Sequence, residues 1–290
     1  MKLKNHIEEL ELKVFEKGIK QNEKINRKIK EIYKKYNKKF KNISEMYLNK
    51  VEVDNKVIES VNYKDLDKKI NEEKIDFRNE IRKETKKTLE YCALLSILFY
   101  KGTKKEFIHS GYKVRRPERK ILNEIINSDY LGRNIRERTY NLAEDLGARA
   151  QSMIKSGIKN KQSPRVIAQN LQEQLNINYN NAITISRTES TRVYNYAKYK
   201  EIMEDDNVRD VIIIATLDKK TSEICRKKDQ KIIRKENITQ DKIPPFHPNC
   251  RSTITTYFGS GDIKTRLDNR EKKLKEYMDF KTFEKKYLKI

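Results

Sequence analysis

The sequence predicts a mainly α-helical protein with a small α+β unit near its carboxy terminus. In chain order it reads as long amino-terminal helices, a helical block, short strands around a Cys/His loop, and a final helix. Three observations carry this reading. Gly and Pro are scarce, 8 and 5 in 290 residues, which argues against a loop-rich β-sandwich. Apolar residues recur at spacings of three and four over most of the chain. The most β-branched run, DVIIIATLD from Asp210 to Asp218, comes late.

The first 50 residues read as helix, because Ile25, Ile29, Ile32, Tyr33, Tyr36 and Phe40 line one face. Residues 44–62 suggest a short extended piece, and a second helical stretch runs to about Lys101. Gly102 to Lys120 reads as a linker, with no role for His109. Ile135, Leu142, Leu146 and Met153 mark a long helix, and Ser163-Pro164 is a helix start. That helix is expected to end near Asn176 and another to run from about Tyr179 to Glu204. Strands follow at Asp210–Asp218, near Lys231–Arg234 and at Arg251–Phe258, then a last helix from about Asp262. The organisation expected is a basic helical region at 1–120, a second domain at 121–258 and a charged helix at 259–290.

The chain has 66 Lys or Arg against 43 Asp or Glu, a formal charge of +23. Such a surplus points to a polyanionic partner, because each cation that neutralises a phosphate releases condensed counterions. A composition rich in Lys, Asn and Ile also follows from base composition alone. Between Lys24 and Lys41 there are nine Lys or Arg and one acid, Glu31. Lys24, Lys28, Lys35 and Lys39 thus form a basic flank, either a phosphate-contacting arm or the solvated face of a packed helix. The aromatics beside them sit where core residues belong, which favours the solvated face. The apolar run Tyr91–Tyr100 is about half the roughly 20 residues a membrane helix needs. The charged start MKLKNHIEELELK lacks a signal-peptide core, and three cysteines are too few for a disulfide framework. The expectation is a soluble protein made in a reducing cytoplasm, with no membrane partner.

Two constellations carry chemistry. In the first, Arg187, Thr188, Glu189, Arg192 and Asn195 share one helix, and Glu189 falls inside its apolar stripe. A buried carboxylate is costly unless paired, so an internal polar network is favoured over a catalytic acid. The second combines Asp218-x-x-Thr221-Ser222-x-x-Cys225 with Pro244-Pro245-Phe246-His247-Pro248-Asn249-Cys250-Arg251-Ser252. Thiolate and imidazole are the usual zinc donors, so Cys225, His247 and Cys250 form a candidate structural metal site, with Asp218 or Asp229 as an oxygen donor. Ordinary buried thiols, a Cys225–Cys250 disulfide, and a Cys225/His247/Asp218 nucleophile, base and orienter are the alternatives. The flanks of Cys225, SEICRKK, offer no glycine for a nucleophile turn.

At ISRTESTRVYNYA (185–197), LDKKTSEICRKKDQKII (217–233) and PPFHPNCRST (244–253) the sequence resembles the Mu F-like family of phage head morphogenesis proteins, also called minor head or minor capsid proteins. The likeness spans roughly residues 130–258 and rests on Arg187, Thr188, Glu189, Asp218, Thr221, Ser222, Cys225, His247, Pro248, Cys250 and Arg251. Gln230 replaces the glycine common after the Asp at that turn. The resemblance implies a non-enzymatic, low-copy virion component of the capsid interior, associated with the portal. Its expected partners are the portal protein, capsid or scaffold proteins and, non-specifically, packaged DNA, with a part in head assembly or DNA ejection. The rival reading is a metal- or thiol-dependent hydrolase, a nuclease or peptidase, built on Asp218, Cys225, His247 and Cys250.

Overall fold

The computed structural model describes residues 2–48, 62–107, 116–160, 162–216, 218–257, 265–268 and 273–276. It is mainly helical, with a small antiparallel sheet late in the chain. Two compact units divide it: Lys24–Lys86 with Asp129–Ser186, and Met1–Glu23, Lys87–Ser128 and Arg187–Ile290.

The first unit is all helix. It takes most of α1 (Lys2–Leu48), the first half of α2 (Tyr63–Phe107), α4 (Ile135–Lys159) and the first half of α5 (Pro164–Met203), while α3 (Arg119–Asn127) belongs to the second unit. Each helix turns one apolar stripe inward: Ile25, Ile29, Ile32, Tyr36, Phe40 on α1; Leu66, Ile70, Phe77, Ile81 on α2; Leu142, Leu146, Ala150, Ile154 on α4; Ile167, Leu171, Leu175 on α5. Spacings of three, four and seven keep these side chains on one face. Tyr33 and Tyr36 set their rings edge-on to Phe77 at 5.1 and 5.3 Å, the geometry the ring quadrupoles favour. The α4 start is fixed by a capping box, Asn134 accepting from the amide of Glu137 and Glu137 accepting from that of Asn134.

Sequence spacing predicts a break after Asn176, yet α5 runs unbroken for 40 residues. No Gly or Pro stops it, and an asparagine just beyond the expected break is held by neighbouring helices. Asn178 is fully buried; its Nδ2 donates to the Leu142 carbonyl at 3.0 Å and to Asp145 at 2.7 Å, and its backbone carbonyl accepts from the Tyr33 hydroxyl at 3.1 Å. Ser44–Leu48 continue α1 and Gly102–Phe107 continue α2. The rest of the expected extended piece, residues 49–61, and residues 108–115 of the expected linker, with His109, lie outside the described residues.

In the second unit, β1 (Asp210–Ile214) is the centre of a three-stranded antiparallel sheet, flanked by β2 (Ile232–Arg234) and β3 (Thr253–Tyr257). A short helix, α6 (Glu223–Lys228), lies between β1 and β2. Val211, Ile213 and Ile254 of the sheet pack with Tyr100, Ile202, Ile238 and Ile243. The Tyr91–Tyr100 run lies within α2, where Cys92, Ala93, Ile97 and Tyr100 are buried. Among the described residues no helix is long and apolar enough to cross a membrane. Where a final helix is expected, Thr265–Asp268 and Lys273–Glu276 instead form an antiparallel pair, β4 and β5, with Leu267 opposite Leu274. Leu267 and Leu274 stand seven apart, a spacing that fits one helix face as well as the strand register, so it does not separate the two readings over so short a stretch.

Candidate metal centre and its helical support

Cys225 is placed by the start of α6. Ser222 is the cap, its hydroxyl accepting from the Cys225 amide at 3.3 Å. This is the usual way a helix start satisfies an orphan N–H. His247 and Cys250 lie on the loop entering β3, where the Cys250 amide donates to the His247 carbonyl at 3.2 Å and so turns both side chains to one side. The donor atoms of Cys225, His247 and Cys250 fall within 4.8 Å of one another. Cys225 Sγ is 3.6 Å from Cys250 Sγ and 3.0 Å from His247 Nε2. All three cysteines of the chain, Cys92 included, are free thiols.

The three donor atoms lie close enough together to hold one metal ion. Two sulfurs bound at about 2.3 Å with tetrahedral angles stand about 3.7 Å apart, close to the 3.6 Å found here. The Pro248 carbonyl, 2.7 Å from His247 Nδ1, can only accept, so Nδ1 carries the proton and Nε2 presents its lone pair to the thiols. The two thiols are tuned apart. A hydrogen bond from Cys225, with amide N–H groups of Phe246 and Ser252, brings Cys250 down to about 6. The same sulfur pair and burial push Cys225 up, so one thiolate is favoured and not two. Ser222 Oγ stands 2.7 Å from His247 Nε2.

Asp218 is not among these donors. Its carboxylate binds Arg251 through both guanidinium Nη atoms, at 2.7 Å for the Nη2 bond, and accepts from the Lys220 amide at 2.9 Å. Burial pushes this carboxyl up, but the Arg251 and backbone bonds outweigh it and hold it below its ordinary value. Asp229 is also elsewhere, accepting from the Ala215 amide at 2.9 Å. Gln230, standing where a glycine is common, adopts φ 60° and donates to the Ile213 carbonyl at 2.8 Å, so the turn persists with a side chain in the left-handed region.

The loop is held by α5. Thr188 Oγ1 accepts from the Asn249 amide at 2.9 Å, and Thr191 Oγ1 donates to the Cys250 carbonyl at 2.9 Å. Asn195 donates to the Ser252 carbonyl at 3.2 Å and accepts from the Ile254 amide at 3.1 Å. Lys198 donates to the Ile254 carbonyl at 3.1 Å. Residues 188, 191, 195 and 198 follow the helical three-four spacing, so one polar stripe of α5 runs along the chain from Asn249 to Ile254. Thr191 and Lys198 complete this stripe and were not among the residues singled out from sequence; their spacing from Thr188 was the available signal. The neighbouring face carries Glu189 and Arg192, both nearly inaccessible and paired at 2.8 Å. Arg192 also donates to the carbonyls of Ile125 and Ile126, at 3.0 and 2.7 Å, and to Ser128, closing the carboxy end of α3. Arg187 is exposed and outside this network.

The whole constellation falls in one stretch of chain, and residues 148–255 match the family model described as "Phage Mu protein F like protein". This segment is Mu F-like. The Mu F-like segment begins in α4 and ends within β3, so it includes the α5 polar stripe and all three donors of the Cys/His cluster. No curated protein and no solved structure matches the chain.

The basic flank of α1 lies outside the Mu F-like segment. Lys28, Lys35 and Lys39 pair with Glu84, Glu80 and Glu73 of α2 at 3.1, 2.8 and 2.5 Å. Lys24 is exposed.

Proposed function

We propose that this chain is a phage minor head protein, a low-copy virion component of the capsid interior that associates with the portal and touches packaged DNA. The observation that carries this reading is the Mu F-like match over residues 148–255, a family of phage head morphogenesis proteins. The charge of +23 supports a polyanionic neighbour. In this reading Cys225, His247 and Cys250 hold a structural zinc ion. The ion supplies a cross-link between α6 and the loop before β3, and the chain's own residues, Thr188, Thr191 and Asn195, set the loop that presents two of the ligands.

The direct test is co-expression with the portal protein of the same phage, followed by purification and mass measurement of the complex. A stable complex with few copies of this chain is expected; two proteins that elute separately at micromolar concentration contradict the portal association. Metal analysis should return about one zinc per chain. Cys225→Ser should lose the zinc and lower the thermal midpoint together; a zinc-free wild type of unchanged stability sinks the clip.

One observation favours a second reading, a hydrolase: the 3.0 Å approach of Cys225 Sγ to His247 Nε2. Against it, His247 is oriented by the Pro248 carbonyl, and Asp218 is bound to Arg251. A Cys225→Ser variant that stays folded yet loses a measurable turnover would favour the hydrolase.

A further inference from the structure

On the helical unit, a recess of about 680 Å³ is lined by α2, the turn before α4 and the first turns of α4. Arg78 and Arg82 of α2 face into it with Arg133 and Arg136. None of these four guanidinium groups has a carboxylate partner among the described residues. In the same unit, Lys28, Lys35, Lys39, Lys74 and Lys155 are each paired with an acid. The acid that lines the recess, Glu137, accepts from the Asn134 amide at 3.3 Å as part of the α4 cap.

Arg133 stands in the turn before α4 and Arg136 in its first turn, while Arg78 and Arg82 are one turn apart on α2, so like charges are stacked side by side there. Such pairs weaken a helix. Folding therefore gains nothing from leaving them unmatched, and an external anion relieves them. Arginine forks match phosphate oxygens in a way point-charge lysines do not. The amino-terminal pole of α4 adds positive potential at the same place. Arg78 lies over the ring of Tyr140 at 5.7 Å, and Tyr140 is 48% exposed at the recess. An aromatic face beside several phosphate forks suits a nucleic-acid strand, whose bases stack, better than an acidic peptide, which has nothing to stack.

We propose that this recess is a phosphate-binding site for the sugar-phosphate backbone of a nucleic acid, with Arg82, Arg133 and Arg136 as its phosphate contacts. The proposal rests on the nucleic-acid part of the function proposed above and assigns it to a place that the basic run of α1 does not occupy.

The test uses the full-length protein and the triple variant Arg82→Gln, Arg133→Gln, Arg136→Gln, with circular dichroism and thermal midpoint verifying the fold. These side chains are exposed, so the fold should be unchanged. Binding to a single-stranded oligonucleotide and to a duplex is measured across salt concentrations, with inorganic triphosphate and a poly-glutamate peptide as further probes. The wild type should bind both nucleic acids with affinity falling steeply in salt. The slope of log affinity against log salt should be shallower by about two to three in the triple variant, about one per lost phosphate contact. A control variant, Lys28→Gln, Lys35→Gln, Lys39→Gln, should keep the wild-type slope. If the triple variant binds and responds to salt as the wild type does, the recess is not the site, while DNA contact by another surface stands. If the wild type binds neither oligonucleotide at low salt, DNA contact and recess both fall. Binding of triphosphate or poly-glutamate alone overturns the nucleic-acid occupant.

Discussion

Arg192 gives the sharpest test of how the Mu F-like segment is built. Its guanidinium satisfies Glu189 and the carbonyls of Ile125 and Ile126 with bonds of 2.7 to 3.0 Å, and it also donates to Ser128. Replacing it with Met keeps the volume and apolar stem but removes every one of those bonds. Glu189, with no accessible surface, then holds a buried charge without its cation. Removing one partner of a buried ion pair costs about 3–5 kcal/mol, far more than the pair contributes relative to apolar residues. For a unit of this size that lowers the thermal midpoint by roughly 6–20 °C. The double variant Glu189→Leu, Arg192→Met removes the stranded charge and should recover part of the loss, leaving the open carboxy end of α3 at about 1–3 kcal/mol. Urea unfolding of the wild type, both single variants and the double variant closes the cycle. A cost below about 1 kcal/mol for Arg192→Met, or no recovery in the double variant, would refute the account of Arg192 as the group that neutralises Glu189.

Two further outcomes follow from single sites. A Cβ added at Gly157 would lie 2.3 Å from two side-chain carbons of Ile167, itself fully buried, so Gly157→Ala should overpack the α4–α5 contact. Overpacking costs about 1–3 kcal/mol against a helix gain below about 1 kcal/mol, giving a lower midpoint that Ile167→Val should partly restore; a rise in the midpoint would contradict the close packing. Asp218 titrates below its ordinary value of 3.8 in the folded chain, so its stabilisation is complete above that value and is lost as pH falls through the lower folded one. Asp218→Asn should therefore cost about 1–2 kcal/mol at neutral pH, a difference that shrinks in urea titrations below pH 3.8; a gap that widens in acid would reverse the sign and the reasoning.

Much of this fold is legible in the sequence because helices of this kind announce themselves by periodicity. The α1 stripe from Ile25 to Phe40 and the α4 stripe from Leu142 are read directly from spacings of three and four. The β-branched run at Asp210 yields β1 by its composition. Two features were hidden. The unbroken α5 depends on Asn178 finding Leu142 and Asp145 on another helix, and no local pattern reveals a partner 33 to 36 residues away. The β4–β5 pair depends on register across a turn, which a charged stretch with two leucines does not specify. At the site, spacing brings out His247 and Cys250 as neighbours, but Asp218 reads as an oxygen donor or as the orienter of a triad until Arg251 is seen against it. The basic flank of α1 shows the same limit: a run of lysines in sequence says nothing about the glutamates on α2 that meet them.

The motif itself spends most of its polar groups inside the fold. Thr188, Thr191, Asn195 and Lys198 bind backbone from Asn249 to Ile254, Arg192 binds the carbonyls closing α3, and Asp218 and Arg251 bind each other. The bonds to backbone supply partners that the loop before β3, the open edge of β3 and the end of α3 lack, which is why polar residues lie where a helix would otherwise be apolar. A substrate-binding site needs donors and acceptors left over for a ligand. Here the groups facing one another at the centre are two thiols and an imidazole, close enough to hold one metal ion, and the α5 side chains that support their loop are buried. The unmatched arginines stand on the other unit. In the function proposed above, the first site would fix the shape of the Mu F-like loop and the second would offer charge to a polyanion.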